Sequence, residues 1–436
     1  MQKIIDWLEK KVYPLAVFFQ ENKYLASIQY GIMLAIPLLL VGAFACIISD
    51  FPSTAYQDFM SNLFGADTWA GWNWDVLNPA TMGLTALIAM IGTANELGKR
   101  NNVAPLPGVA ICIMVFIILT PSVDGNISLN SFSARTLFLS LILAIVNVSI
   151  YTQCLKHHLT IKMPDAVPAF ISEQFTALIP AIFSAILALV IRYIFAATAW
   201  GDIASFMYGV LQAPLTKVGT SFAGTMLMTL LNTVLWFFGI HGSNVVESIM
   251  DPIWYAARDA NFQIYSQNAL AARPYITTID FTNMITWLTG TGITLPLVIE
   301  MLFMCKSERL KTVGKGALLP GIFNVNEPVI FGLPLVMNPV MLIPFAIVPV
   351  VVTALAYWSM ALGIVPTPTG VPVPWTLPFF LGGWMMTGSW KGGMLQIVCL
   401  LVSGLIYYPF IKTLDNEYYK EEQESMASAV EGTTKK

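Results

Sequence analysis

Apolar residues in this chain come as long runs rather than as stripes. Candidate spans fall at 27–49, 79–98, 103–120, 135–155, 175–199, 221–240, 281–304, 338–362 and 392–411. Each reaches or approaches the roughly 20 residues that cross a bilayer as a helix. A shorter run at 376–390 completes or half-completes a tenth. Apolar and polar positions do not alternate along these runs, which excludes a membrane β-barrel. The pattern predicts an all-α polytopic membrane protein.

Composition agrees. Of 436 residues, 56% are hydrophobic and 11% charged, where soluble domains carry about 25% charged residues. A net charge of −3 offers no basic surface for nucleic acid. The five cysteines, Cys46, Cys112, Cys154, Cys305 and Cys399, are far apart and form no CxxC pair, so they read as small core residues. No cleavable signal peptide is visible. The opening MQKIIDWLEKKVYPLAVFFQENK mixes charges with aromatic residues and reads as an amphipathic surface helix.

Basic residues set the orientation. The first 23 residues hold Lys3, Lys10, Lys11 and Lys23, whereas 50–77 holds no Lys or Arg but has Asp50, Asp58, Asp67 and Asp75. A cytoplasmic N-terminus follows, and Lys99, Arg100 and KHHLTIK at 156–162 then return inside. In the second half the alternation fails. KSERLKTVGK at 306–315 looks cytoplasmic, yet two simple spans after the fifth place it outside. Either 241–280 holds an extra crossing or re-entrant hairpin, or the charge rule fails there. Residues 1–199 are expected to form one membrane subdomain, 200–220 an amphipathic linker, 221–412 a second membrane subdomain, and 413–436 a polar, disordered tail.

The second half also carries the unusual chemistry. GIFNVNEPVIFGLPLVMNP, 321–339, places Glu327 in backbone broken by Gly321, Pro328, Gly332, Pro334 and Pro339. Lipid supplies no hydrogen bonds, so irregular backbone at membrane depth must be buried in protein or line a wet cavity. A re-entrant hairpin with its tip near Asn324, Asn326 and Glu327 is the expected form. A charge there costs roughly 2.5–3.5 kcal/mol on insertion scales and calls for a partner residue or a polar ligand. In LLNTVLWFFGIHGSNVVES, 230–248, His241 sits between Gly239 and Gly242, which allow tight backbone. An acceptor carboxylate and an imidazole that donates or accepts suit a ligand rich in hydroxyls. Trp375 and Trp384, in GIVPTPTGVPVPWTLPFFLGGW, offer aromatic faces that pack on the C–H face of a sugar ring; an interfacial aromatic belt explains them equally well. Asn78, at the mouth of the second span, is a helix cap or a further site residue. Glu96, Glu300 and Arg192 lie near span ends, where snorkelling or pairing accounts for them. No Walker-type GxxxxGK[ST], no HExxH and no cysteine–histidine nucleophile occurs. No catalytic residue, metal ligand or cofactor is therefore assigned.

Four stretches carry a resemblance over nearly the whole chain: KMPDAVPAFISEQFTALIP (162–180), LWFFGIHG (235–242), GIFNVNEPVIFGLPLVMNP (321–339) and VPWTLP (373–378). With them the chain resembles the membrane component, IIC, of the bacterial phosphoenolpyruvate-dependent sugar phosphotransferase system, in its lactose/cellobiose/diacetylchitobiose group. The resemblance implies an inner-membrane homodimer of about ten spans per subunit, joined through its N-terminal half. The C-terminal half would bind the sugar with two re-entrant hairpins. It puts sugar-contacting roles on Glu327, Asn326 and His241, a stacking role on Trp375, and a further polar position on Asn78. Gly242 joins the candidate site beside His241. It further implies uptake of a β-linked, cellobiose-like disaccharide, presented to a separate cytoplasmic IIB that carries the phosphoryl group on cysteine, with IIA acting indirectly. The membrane chain would be one subunit of a multi-component phosphotransferase. A proton- or sodium-coupled secondary sugar transporter, with Glu327 as proton carrier, is the alternative.

Overall fold

The computed structural model describes residues 22–49, 54–122, 126–161, 163–164, 167–237, 241–333 and 339–434. The amphipathic helix expected at the N-terminus lies largely outside these residues, as do Gly239 and the Pro334–Asn338 end of the broken stretch.

The described residues form helices and irregular connections, with no strand of more than a single bridge. The main helices are α1 (Lys23–Ser49), α2 (Thr85–Arg100), α3 (Pro105–Leu119), α4 (Leu137–Lys156), α5 (Leu178–Ala196), α6 (Phe222–Phe237), α7 (Gly242–Gln267), α8 (Leu295–Phe303), α9 (Glu308–Ile322), α10 (Glu327–Gly332), α11 (Pro339–Ala361), α12 (Leu381–Thr387) and α13 (Trp390–Thr434). Five described helical stretches are long and apolar enough to cross a membrane. They are Asp75–Arg100, Leu137–Lys156, Ile171–Ala196, Met341–Ala361 and Trp390–Ser425, with a sixth if the pair Ile203–Gly219 and Phe222–Trp236, bent by 72°, is one span.

The chain divides into two compact units, one from Val17–Gly219 with Glu247–Asp259, the other from Thr220–Val246 with Ala260–Lys436. The first is a bundle around α2, α3 and α4. Ala86, Ala89, Met90, Leu97, Phe116, Leu137 and Tyr151 are almost wholly removed from solvent there. Small residues set the helix spacing: a Cβ at Gly92 would come within 2.7 Å of Gly31 Cα. Arg192, for which snorkelling or pairing was expected, donates to the carbonyls of Ile118 and Thr120 (3.0 Å to the latter), which the end of α3 leaves without helical partners. Glu96 pairs with Arg100 at 2.8 Å.

The second unit departs from regular helix where the sequence predicts a span. The run 281–304 is not one helix. A π-helical turn (Thr282–Thr286) gives way to an irregular loop at 287–294, and α8 begins at Leu295. Thr289, Gly290, Gly292 and Ile293 all take left-handed backbone, with φ of 59°, 92°, 90° and 56°. Two of these positions require glycine for space as well. A Cβ on Gly290 would lie 2.3 Å from the Asn326 side chain, and one on Gly292 would lie 2.4 Å from Phe345. Glu300 does not snorkel: it is 6% exposed, and its Oε2 accepts no hydrogen bond from the described residues.

The tail also differs from expectation. α13 continues as helix from Trp390 to Thr434. Most of its polar extension to Ser425 is exposed, but Asp415 and Glu422 accept from backbone donors at the start of α9.

Candidate functional site

The broken stretch forms a helix–turn–helix. α9 ends at Ile322, residues 323–326 turn, and α10 starts at Glu327. Asn324 takes φ of 65° at the turn, a conformation asparagine tolerates better than most residues. Its side chain works in both directions: Oδ1 accepts from Thr289 N at 2.7 Å, while Nδ2 donates to the carbonyls of Trp375 and Leu377 (3.1 Å to the latter). Asn326 is 5% exposed and donates to Thr291 O and, at 3.1 Å, to Thr294 Oγ1. Two asparagines thus satisfy backbone of the 287–294 loop and of the Trp375 segment. The two irregular turns interlock through side-chain amides, which meets the requirement that non-helical backbone at membrane depth find its partners in protein.

Helix α13 braces the same loop from another direction. Tyr407 Oη donates to Gly292 O at 2.7 Å and Ser403 Oγ to Ile293 O at 2.8 Å. Two turns earlier than Ser403, Gln396 donates to Met284 O and accepts from Gly383 N, both at 2.7 Å. The Trp375 segment is held separately by Val373 N, which donates to Asp280 Oδ1 at 3.1 Å.

On this frame Glu327 is exposed, in the first turn of α10, where the helix dipole favours an acid. It acts electrostatically on His241. His241 ends the connection from α6, and its carbonyl accepts from Val245 N at 3.4 Å as α7 begins. Its ring lies against Trp236, with centroids 4.3 Å apart and planes at 49°. Gly242 is a packing requirement: a Cβ there would sit 2.1 Å from Asn232 O. Ser243 Oγ then bonds Asn232 Oδ1 and pairs with Thr291 Oγ1, each at 3.3 Å, which ties the histidine corner to the interlocked loop. Trp375 is 40% exposed.

Five sequence-predicted residues therefore belong to one framework: Glu327 lies within electrostatic range of His241, Gly242 adjoins His241, and Asn324 and Asn326 tie the Glu327 turn to Trp375 and to the Thr291 loop. Asn78 lies in the other unit, at the start of the short helical segment Asn78–Ala80 that follows a π-helical turn (Trp72–Leu77). Sequence reasoning missed the loop TGTGIT at 289–294, together with Tyr407, Ser403 and Gln396. The first had a readable signal, two glycines two residues apart inside an apolar run. The other three had none. An exposed carboxylate, a half-buried imidazole and an open indole face give an acceptor, a donor and a stacking surface, the set that a carbohydrate uses.

Comparison with known proteins gives the same class. The chain is 36% identical over 440 residues to the "PTS system cellobiose-specific EIIC component" of Geobacillus stearothermophilus, covering 97% of each. It is 35% identical over 441 residues to the "Lichenan permease IIC component" of Bacillus subtilis (strain 168), covering 97% of this chain and 96% of the relative. Its fold superposes with a TM-score of 0.90, at 36% identity and over 96% of this chain and 99% of the other, on the crystal structure of the transporter ChbC, the IIC component from the N,N′-diacetylchitobiose-specific phosphotransferase system. The sequence profile of the family "Phosphotransferase system, EIIC" matches residues 29–349, and the chain belongs to that family.

Proposed function

We propose that this EIIC protein carries a cellobiose-like, β-linked disaccharide inward by alternating access, for phosphorylation by a separate IIB. Relatives named for cellobiose and lichenan, and the matched diacetylchitobiose component, support the β-linked class. The observation that carries the reading is the interlocked frame. It presents Glu327, His241 and Trp375 from irregular backbone that would otherwise have no reason to exist in an apolar unit. In this reading Glu327 accepts from sugar hydroxyls, His241 donates or accepts, and Trp375 packs on a ring. Asn326 spends its donors on the frame and offers the sugar only its oxygen. Gly242 lets His241 approach, and Asn78 contributes from the other unit. The full assembly is about ten spans with two re-entrant hairpins, as a homodimer joined through the first subdomain. It sits in the bacterial inner membrane with the N-terminus cytoplasmic and IIA acting through IIB. Residues 200–220 act as the hinge region.

Glu327→Gln keeps the shape and removes the charge. Charge-assisted hydrogen bonds contribute about 1.5–3 kcal/mol, so disaccharide affinity measured by calorimetry should fall about ten- to a hundredfold. Unchanged affinity sinks the assignment. A screen of cellobiose, N,N′-diacetylchitobiose and lactose on the purified protein identifies the sugar. Uptake should require phosphoenolpyruvate and IIB and survive an uncoupler; the ion-coupled alternative requires the reverse.

A further inference from the structure

Helix α13 holds the α9–α10 hairpin at both of its ends. At the tip it acts through the 287–294 loop: Tyr407 and Ser403 fix the Gly292 and Ile293 carbonyls, and that loop takes the bonds from Asn324 and Asn326. At the base it acts directly. Asp415, wholly buried, accepts from Lys306 N and Ser307 N at 2.7 and 2.9 Å through one oxygen, and its other oxygen takes Lys412 Nζ at 3.1 Å. Glu422, two turns further, accepts from Ser307 Oγ at 2.7 Å, Arg309 N at 3.1 Å and Glu308 N at 3.2 Å. Around this contact Arg309 stacks its guanidinium over Tyr418 at 4.3 Å. The backbone donors that open α9 are thereby satisfied by carboxylates more than a hundred residues away in sequence, not by a local cap alone.

The arrangement matters because α9 is a poor helix by composition. Gly314, Gly316, Pro320 and Gly321 lie within its fifteen residues, and glycine and proline are the residues that weaken a helix interior most. Gly314 is needed for close packing, since a Cβ there would come 2.9 Å from Leu302. Gly316 has open space around it and only loosens the chain. A segment of this kind depends on being fixed at its ends. Its far end, about 22 Å along the axis, leads into the Asn324–Asn326 turn and Glu327.

We infer that Asp415 and Glu422, on the polar extension of α13, are positioning residues for the sugar site, acting through α9 to keep Glu327 in register with His241 and Trp375. The inference rests on the sugar-binding role proposed above for Glu327. It makes the tail helix a functional part of the sugar-binding unit.

The test uses the full-length protein in detergent and the tightest binder among cellobiose, N,N′-diacetylchitobiose and lactose. Glu422→Ala, Glu422→Gln and Glu327→Gln are compared with the unmodified chain by calorimetry and by thermal unfolding. Loss of a cap at a half-buried residue should weaken sugar binding about fivefold in Glu422→Ala. Glu422→Gln, which still accepts from backbone N–H, should restore affinity to within about twofold. A lowered melting temperature in Glu422→Ala with unchanged sugar affinity makes the contact merely structural and overturns the inference, while Glu327→Gln in parallel still reports the sugar site. Failure of Glu327→Gln to weaken binding removes the sugar-site reading and the inference with it.

Discussion

Both units contain threonines that bond back to their own helix, but the second adds a set of distant side-chain bonds to irregular backbone. In the first, Thr93, Thr120, Asn147 and Thr152 each donate to the carbonyl four residues earlier, at 2.7, 2.7, 2.8 and 2.7 Å. Such bonds close on the residue's own helix and leave the apolar packing to do the rest. In the second, Asn324, Asn326, Gln396, Ser403 and Tyr407 reach backbone 35 to 115 residues away. Local bonding keeps a helix regular and uncommitted. Distant bonding holds backbone that no helix supports, and that is where exposed Glu327 and Trp375 are presented. The second unit thus holds irregular backbone that the first unit's apolar bundle does not need.

The sharpest way to break this contrast is a large core deletion in the first unit. Phe116 is 1% exposed and meets Phe132 edge-on at 5.3 Å. Phe116→Ala should cost about 3–5 kcal/mol of stability, read by denaturant or thermal unfolding in detergent. Sugar affinity of the protein that remains folded should not change. A parallel loss of affinity would show that packing in the first unit sets the geometry of the second.

The converse substitution is Asn326→Ala. It leaves the Thr291 carbonyl and Thr294 hydroxyl without their donor in a buried place, at a cost of about 1–3 kcal/mol. Because the lost bonds shape the site, sugar affinity should fall by about tenfold or more, out of proportion to the melting temperature. An affinity that survives would mean that the loop keeps its shape without the amide.

How much of this was legible in the sequence follows the same division. The all-helical, apolar character was readable because apolar runs persist however the backbone is arranged, and five of the described stretches are long enough to cross a membrane. Glu327 and His241 stood out as candidates because a charge or an imidazole beside glycine and proline is conspicuous in apolar surroundings. The 287–294 loop was hidden. Threonine and glycine are tolerated in membrane helices, so TGTGIT passes for part of a span on hydropathy. Its left-handed backbone is imposed by Asn324, Asn326 and Tyr407, partners more than thirty residues away. The tail was misread for a related reason. LDNEYYKEEQE has the composition of a disordered segment, but its Asp415 and Glu422 are aimed at donors that only the folded chain assembles.

That tail contact sharpens the comparison through pH. The apolar stretch of α13 ends at Ile411, and the carboxylates lie beyond it. Burial alone would raise the Asp415 carboxyl, but the N–H of Ser307, the Lys412 ammonium and the N–H of Lys306 outweigh it and hold it below the usual aspartate value. Glu422 is also held low, first by the Ser307 hydroxyl and then by the N–H of Arg309. A carboxyl depressed by folding stabilises above its unfolded pKa, and that contribution is lost as pH falls through the folded value. Stability of the second unit should therefore decline as pH falls from about 5 towards 3. Hydrogen exchange at the start of α9 should report the loss before that in α3, which holds no titratable side chain apart from buried Cys112.

The smallest effect is the most discriminating. Tyr407→Phe keeps the ring, which is wholly buried, and deletes only the donor to Gly292 O. One neutral hydrogen bond contributes about 0.5–1.5 kcal/mol. In the first unit an equivalent deletion, Thr93→Val, removes only a bond to Ala89 O, which the helix itself can still satisfy. Both substitutions should shift the melting temperature by little. Only Tyr407→Phe should weaken sugar binding, by about two- to tenfold, because the carbonyl it releases belongs to left-handed backbone with no helical donor in reach. Equal effects of the two substitutions on affinity would mean that distant bonding in the second unit carries no more than ordinary helix stability.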